Sequence, residues 1–127
     1  MSRDSVLIVD DEFGTVDALS AVLGDAGFAV ASAANGKLAL EQLQLSRPSF
    51  VLLDFVLPVL DGCETLRAIR KDPKLKGLPV VMMSGLPESM IRRKCKGFDA
   101  FLRKPFGLDE LLACAKPFRS STGGRRK

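Results

Sequence analysis

In the stretch LIVDDE, Leu7 to Glu12, an apolar run that begins at Val6 ends in three consecutive carboxylates. On a surface loop three adjacent acids would be unremarkable, because water screens them and they point apart. Behind a buried strand they are held together, so the stretch asks for both a parallel sheet and a use for the acids. Working outward, the hydrophobic period alternates between strand-like and helix-like. VLIV (6–9) is a buried-strand run, and Val16, Leu19 and Leu23 recur at helical spacing before Gly24 and Gly27. FAVASA (28–33) is a weaker strand, and Asn35-Gly36 turns into the helical KLALEQLQL. FVLLDF (50–55) is a third strand, and Asp61 can cap a helix carrying Cys63, Leu66 and Ile69. LPVVMMS (78–84) is a fourth strand, followed by a helix with Pro87 in its first turn that runs to about Lys96. FDAFLR (98–103) and GLDELLACA (107–115) complete the alternation.

Five strands alternating with five helices predict an α/β domain with a parallel sheet covered on both faces and right-handed crossovers. At 127 residues, 46% of them hydrophobic and 27% charged, the chain fits one domain with one sizeable core. No apolar run approaches the roughly 20 residues that span a bilayer, and MSRDSV lacks a secretory apolar segment, so a cytoplasmic protein without membrane contact is expected. Cys63, Cys95 and Cys114 are three, widely spaced, and read as reduced thiols. The chain has no histidine, which excludes histidine-dependent nucleophilic catalysis and histidine metal sites.

Open parallel sheets place their chemistry outside the carboxyl ends of the strands. There the sequence puts Asp10, Asp11 and Glu12, then Asp54, then Ser84-Gly85, then Lys104-Pro105. Two carboxylates about 5 Å apart repel by about 3 kcal/mol at an effective dielectric of 20, so the cluster should hold protons or a cation. A hard divalent cation suits carboxylate oxygens and would shield Asp54 enough for a phosphoryl group to approach.

VDDE, LLDFVLPVLDG, VVMMSG and FLRKPF, in that order at strand ends, resemble the receiver domains of two-component response regulators, the CheY-like family, from about residue 5 to 116. The resemblance implies a flavodoxin-like, doubly wound sheet of order 2-1-3-4-5 with five helices, the order being that of CheY itself. It implies Asp54 as phosphoacceptor from a sensor histidine kinase or a histidine phosphotransfer protein. It further implies Asp11 and Asp54 as ligands of Mg2+ (or Mn2+), Asp10 as their neighbour acting through water, and the Val56 backbone carbonyl as the remaining protein ligand. Ser84 matches the switch hydroxyl, Lys104 the family lysine, with a cis bond to Pro105, and Phe101 the aromatic switch position. Leu57 replaces the usual methionine before the loop proline. Phe101 stands where tyrosine is common, and Val56 and Leu86 are apolar where many relatives have polar groups, which predicts slow self-dephosphorylation.

Other readings compete at single positions. Glu12 can simply start the first helix, Ser84 can cap the one after strand four, Asp61-Gly62 reads as a cap and tight turn, and Pro58 fixes its loop. Residues 1–91 carry 8 basic and 12 acidic groups and residues 92–127 carry 11 and 3. That excess predicts a basic output face on the fourth helix, fifth strand and fifth helix, suited to an acidic protein partner in preference to direct nucleic-acid binding. Residues 117–127 are expected as a basic, flexible tail after a 1–116 receiver. The function alternatives are a degenerate receiver that only docks partners and a magnesium-dependent aspartyl-phosphate phosphatase. The dehalogenase-type phosphatase needs a DxD run after the first strand, and Asp10-Asp11-Glu12 lacks that spacing. A flavin-binding domain on a similar sheet would need a phosphate loop at the same place, and three carboxylates there would repel the phosphate.

Overall fold

A computed structural model describes residues 4–120. Five strands, β1 (Ser5–Val9), β2 (Ala29–Ala33), β3 (Phe50–Asp54), β4 (Val80–Ser84) and β5 (Ala100–Arg103), form one parallel sheet in the order β2-β1-β3-β4-β5. The helices are α1 (Phe13–Asp25), α2 (Gly36–Leu45), α3 (Gly62–Lys71), α4 (Glu88–Lys94) and α5 (Leu108–Ala115), closed by a 3-10 turn over Lys116–Phe118. This is the doubly wound flavodoxin-like arrangement. No helix among the described residues is long and apolar enough to cross a membrane.

The central strands are apolar without alternation because both faces are covered. Leu7, Val9, Val51, Leu53, Val80 and Met82 point to one face and pack with Ala39, Leu43, Leu66, Ile69 and Ile91 of α2, α3 and α4. Val6, Ile8, Phe50, Leu52, Val81 and Met83 point to the other, under Leu19 and Leu23 of α1 and Leu111 and Ala115 of α5. Each fully buried leucine or isoleucine contributes about 1.5–3 kcal/mol of transfer free energy, and the two layers pin the strand ends on which the site is built.

Element boundaries differ from expectation where local hydrogen bonding decides them. β4 starts at Val80 because Leu78 N–H closes a turn on Leu75 and Pro79 has no N–H to offer. Pro87 is the N-cap of α4, with extended ψ of 146°, and not part of its first turn; its carbonyl accepts from Met90 and Ile91. α4 stops at Lys94 because Cys95 turns extended to bury its side chain, and Gly97 at φ 102° reverses the chain. The fold also runs past residue 116: Phe118 stacks on Phe50 with centroids 4.9 Å apart, and Ser120 N–H donates to Asp4. Residues 121–127 of the expected tail lie outside the described residues.

Candidate functional site

The carboxyl ends of β1, β3 and β5 meet at one edge of the sheet. Asp10 follows β1 and is held there twice, its N–H donating to Ala33 O (3.1 Å) and its Oδ1 accepting from Glu12 N–H (2.9 Å). Asp54 closes β3, paired in register with Met83 of β4, so Ser84 lies one residue beyond it on the neighbouring strand. Lys104 follows β5, and its N–H donates to Ser84 O (2.8 Å). The bond from Lys104 to Pro105 is cis, in agreement with the resemblance.

Asp10 and Asp54 are buried, Asp11 is exposed, and one carboxylate oxygen from each lies within 4.8 Å of the others. Lys104 Nζ donates to Asp10 Oδ2 and Asp54 Oδ2, both at 3.1 Å. Burial, reinforced by the neighbouring Asp10 charge, raises the Asp54 pKa above the ordinary carboxylate range despite the lowering effect of Lys104. Burial works to lower the Lys104 pKa, but the Asp54 charge and the hydrogen bonds to both carboxylates outweigh it and leave the ammonium raised. Two buried acids therefore share one cation, with a third acid open to solvent beside them. Three carboxylates at this spacing fit a hard divalent ion: the donors are all oxygen, and the exposed side leaves room for waters that such an ion retains.

The loop after β3 is shaped by packing. A Cβ on Gly62 would stand 2.4 Å from Asp54 O and 2.7 Å from Phe55 Cα, so only glycine lets the start of α3 press against the backbone of Asp54. Asp61 and Glu64 form a reciprocal capping box at that start, so Asp61-Gly62 is architecture, as expected. Val59 takes φ 68°, an uncommon conformation for a β-branched residue, and is exposed. Val56 N–H reaches Asp54 Oδ1 at 3.4 Å, which places the Val56 peptide at the rim of the acid cluster while its side chain is 69% exposed.

The remaining sequence candidates divide. Ser84 is buried and its Oγ accepts from Leu86 N–H (3.0 Å); it forms the turn before α4 without being that helix's cap. Glu12 is the N-cap residue of α1 and pairs with Thr15, outside the group of three aspartates. Phe101 is half-buried against the α3–α4 side of the core, 6.0 Å from the Phe98 ring. Two features were not found from sequence. Arg103 Nε donates to Gly85 O (3.2 Å), tying β5 to the loop after Ser84. A cleft of about 710 Å³, lined by Glu12, Gly14, Thr15, Ala18, Pro105 and Phe106, opens beside Lys104; its signal was the small residues at 14, 15 and 18 on one face of α1.

The sequence matches the response regulator receiver domain family over residues 6–116. The chain belongs to that family. This receiver is 40% identical over 115 residues to the response regulator Rre1 of Synechocystis sp., covering 88% of this chain and 50% of that protein. It is 34% identical over 113 residues to the DNA-binding response regulator MtrA of Mycobacterium tuberculosis, covering 87% and 48%. The receiver thus spans about half the length of these relatives. Among solved structures it is similar to the chemotaxis response regulator CheY4 of Vibrio cholerae, with a TM-score of 0.86, 30% identity, and coverage of 92% of this chain and 99% of that one.

Proposed function

We propose that this receiver takes a phosphoryl group from a phosphohistidine of a sensor histidine kinase or histidine phosphotransfer protein onto Asp54, and that the modification reshapes its α4–β5–α5 face. The observation that carries the reading is the shared cation: Lys104 spans Asp10 and Asp54 at 3.1 Å each, with Asp11 alongside. In the transfer an Asp54 carboxylate oxygen bonds to phosphorus as the P–N bond to the donor imidazole breaks, and the imidazole leaves with the bonding electron pair and is then protonated. Asp10, Asp11, Asp54 and the Val56 carbonyl would hold Mg2+, or Mn2+ in its place; bound there the ion would neutralise charge on the transferring phosphoryl oxygens. Lys104 shields Asp54 before transfer and pairs with the phosphoryl group after it. Ser84 donates its hydroxyl to a phosphoryl oxygen.

The partner must bring an imidazole to a half-covered acid cluster, and the cleft between α1 and the Pro105–Phe106 segment supports docking beside it. Phe13, 83% exposed at the start of α1, offers an apolar anchor at its edge. The receiver's chemistry is on itself, forming and losing one aspartyl phosphate, so it acts as a signalling switch and not as an enzyme on external substrates.

The test is incubation with a small phosphoramidate or acyl phosphate, with and without magnesium, followed by intact mass and peptide mapping. One phosphoryl group on Asp54, dependent on the metal, is the expected result. Labelling at another residue, or equal labelling with the metal chelated, overturns the assignment.

A further inference from the structure

The basic excess lies only in part where its sequence position suggests: α4 carries Arg92, Arg93 and Lys94, but β5 and α5 add little. α5 carries Asp109 and Glu110 in its first turn and no basic residue between Leu108 and Ala115, and β5 contributes only Arg103. The largest concentration spans positions 67 to 98, with nine lysines and arginines against two acids, Asp72 and Glu88, an excess of seven positive charges. One guanidinium draws its parts together: Arg70 Nε and Nη2 donate to Gly97 O (2.9 and 2.7 Å), while Nη1 donates to Lys76 O (2.8 Å) and Leu78 O (2.7 Å). Cys63 Sγ, in the first turn of α3, donates to Lys94 O (3.3 Å), so the short α4 ends beside the start of α3. The end of α3, the loop after it and the segment after α4 are therefore joined through Arg70 into one ridge at the end of the sheet remote from Asp54, and the last turn of α4 adjoins it through Cys95 and Lys96.

Basic residues in the last turn of a helix complement its dipole, which accounts for Arg70, Lys71, Arg92, Arg93 and Lys94. It does not account for Lys74, Lys76 and Lys96, which lie in the loops beyond those helices. Nearby acids are already engaged: Asp99 by Arg70 and the Val80 N–H, Glu88 by Arg92, Asp72 by Gln44. Lys71, Lys76, Arg93 and Lys96 are exposed, and no side-chain hydrogen bond or ion pair engages them among the described residues.

We propose that this ridge binds the phosphate backbone of a nucleic acid. A protein partner would need an apolar centre to bury, but the apolar side chains among these cations, Leu75, Leu78, Ile91 and Cys95, are already inside the core. The exposed Leu86 and Met90 sit at the opposite end of α4. What the ridge offers is spaced cations without an apolar anchor, the chemistry of sequence-independent phosphate contact.

The experiment is fluorescence anisotropy of a labelled DNA duplex titrated with the whole chain at several salt concentrations. With about five phosphates engaged, the log–log slope should be near −4.5, about 500-fold weaker binding between 50 and 200 mM salt. The combined Lys71→Gln, Lys76→Gln, Arg93→Gln and Lys96→Gln variant should bind at least about tenfold more weakly, with a slope shallower by about 3.6. The combined Arg125→Gln, Arg126→Gln and Lys127→Gln variant, which leaves the ridge intact, should bind like the wild type. A flat salt dependence, loss of binding in the tail variant alone, or tighter binding of polyglutamate than of DNA would each overturn the proposal, the last assigning the ridge to an acidic protein.

Discussion

Lys104 Nζ stands 3.1 Å from Asp54 Oδ2, and the same ammonium is equally close to Asp10. One cation thus serves two buried carboxylates, and neither acid can change charge without the other responding. The arrangement is under-neutralised in the absence of a metal, and the first two predictions follow from that imbalance.

Asp54→Asn should abolish labelling by a small phosphodonor, and Asp11→Ala should weaken divalent-ion binding enough to reduce it severely. Glu12→Gln should change labelling little, because Glu12 stands at the N-cap of α1 outside the aspartate group. Metal titration followed by intrinsic mass gain checks all three. Efficient labelling of the Asp54 or Asp11 variant contradicts the assigned roles.

The same acids set a pH-dependent stability. A carboxyl whose folded pKa is raised opposes folding once it ionises, so its cost is absent at low pH and grows as pH rises from the unfolded value near 3.8 through the raised folded value. Without metal, Asp54→Asn should therefore melt higher than wild type at pH 7, with the gain vanishing in strong acid. Lys104→Met should lose about 1–3 kcal/mol of stability and melt lower, because it strands two buried carboxylates. The Lys104 pKa is raised as well, so the stability it adds is complete below its ordinary 10.5 and lost as pH climbs through the folded value. Thermal melts across pH decide this; a Lys104→Met protein as stable as wild type at pH 7 would mean that the pair is not strained.

Gly62 is a position where backbone meets backbone. Gly62→Ala would set a Cβ 2.4 Å from Asp54 O, so α3 or β3 must shift, at about 1–3 kcal/mol. Gly77→Ala meets nothing within 4 Å and should be close to neutral. The displaced Asp54 should also be labelled more slowly, a comparison that chemical denaturation and phosphorylation rates make directly.

How much of this was legible from the sequence depends on the type of residue. Strand ends, caps and apolar faces follow from local chemistry, so β1, β3, the Asp61 cap and the convergence of Asp10, Asp54 and Lys104 could be read before any coordinates. Element ends set by hydrogen bonding could not: Leu78 and Phe98 look like strand residues, but the turn on Leu75 takes Leu78 out of β4, and β5 pairs with β4 only from Ala100 onward. The Arg70 clamp joins residues 27 apart, and the Arg103–Gly85 link spans 18, contacts that no periodicity encodes. Phe118 looked like tail because its partner, Phe50, is 68 positions away.

Slow loss of the phosphoryl group is expected from the two side chains at the site's mouth. Val56 is 69% exposed and Leu86 40% exposed, and neither can orient an attacking water. Val56→Asn should shorten the aspartyl-phosphate lifetime, by roughly tenfold or more if the amide positions water well. A wild-type half-life as short as that of fast chemotaxis regulators would count against the reading.

The last prediction concerns how phosphorylation becomes a signal. A phosphoryl group on Asp54 adds up to about two negative charges, and Ser84 reaches it only if the loop after β4 moves. That loop is held by Leu86 N–H on Ser84 Oγ and by Arg103 Nε on Gly85 O. Its movement strains the second bond and opens space beside Phe101, which is half-buried near Phe98. Phe98 in turn lies under the Arg92 guanidinium at 4.2 Å, and Arg92 is paired with Glu88 across α4. A rotation of Phe101 is thus passed through Phe98 to α4, whereas α2 sits beyond α3 and shares none of these bonds. A phosphoryl mimic with magnesium should therefore shift NMR signals of Ser84 to Leu86, residues 88–97 and Phe101, and leave Leu40 and Leu43 unchanged. Arg103→Ala should loosen the loop and enlarge the active population before any ligand is added, moving the resting spectrum part of the way. If the changes stay confined to Asp10, Asp11 and Asp54, the site binds phosphate without switching α4, and the receiver serves as a docking module.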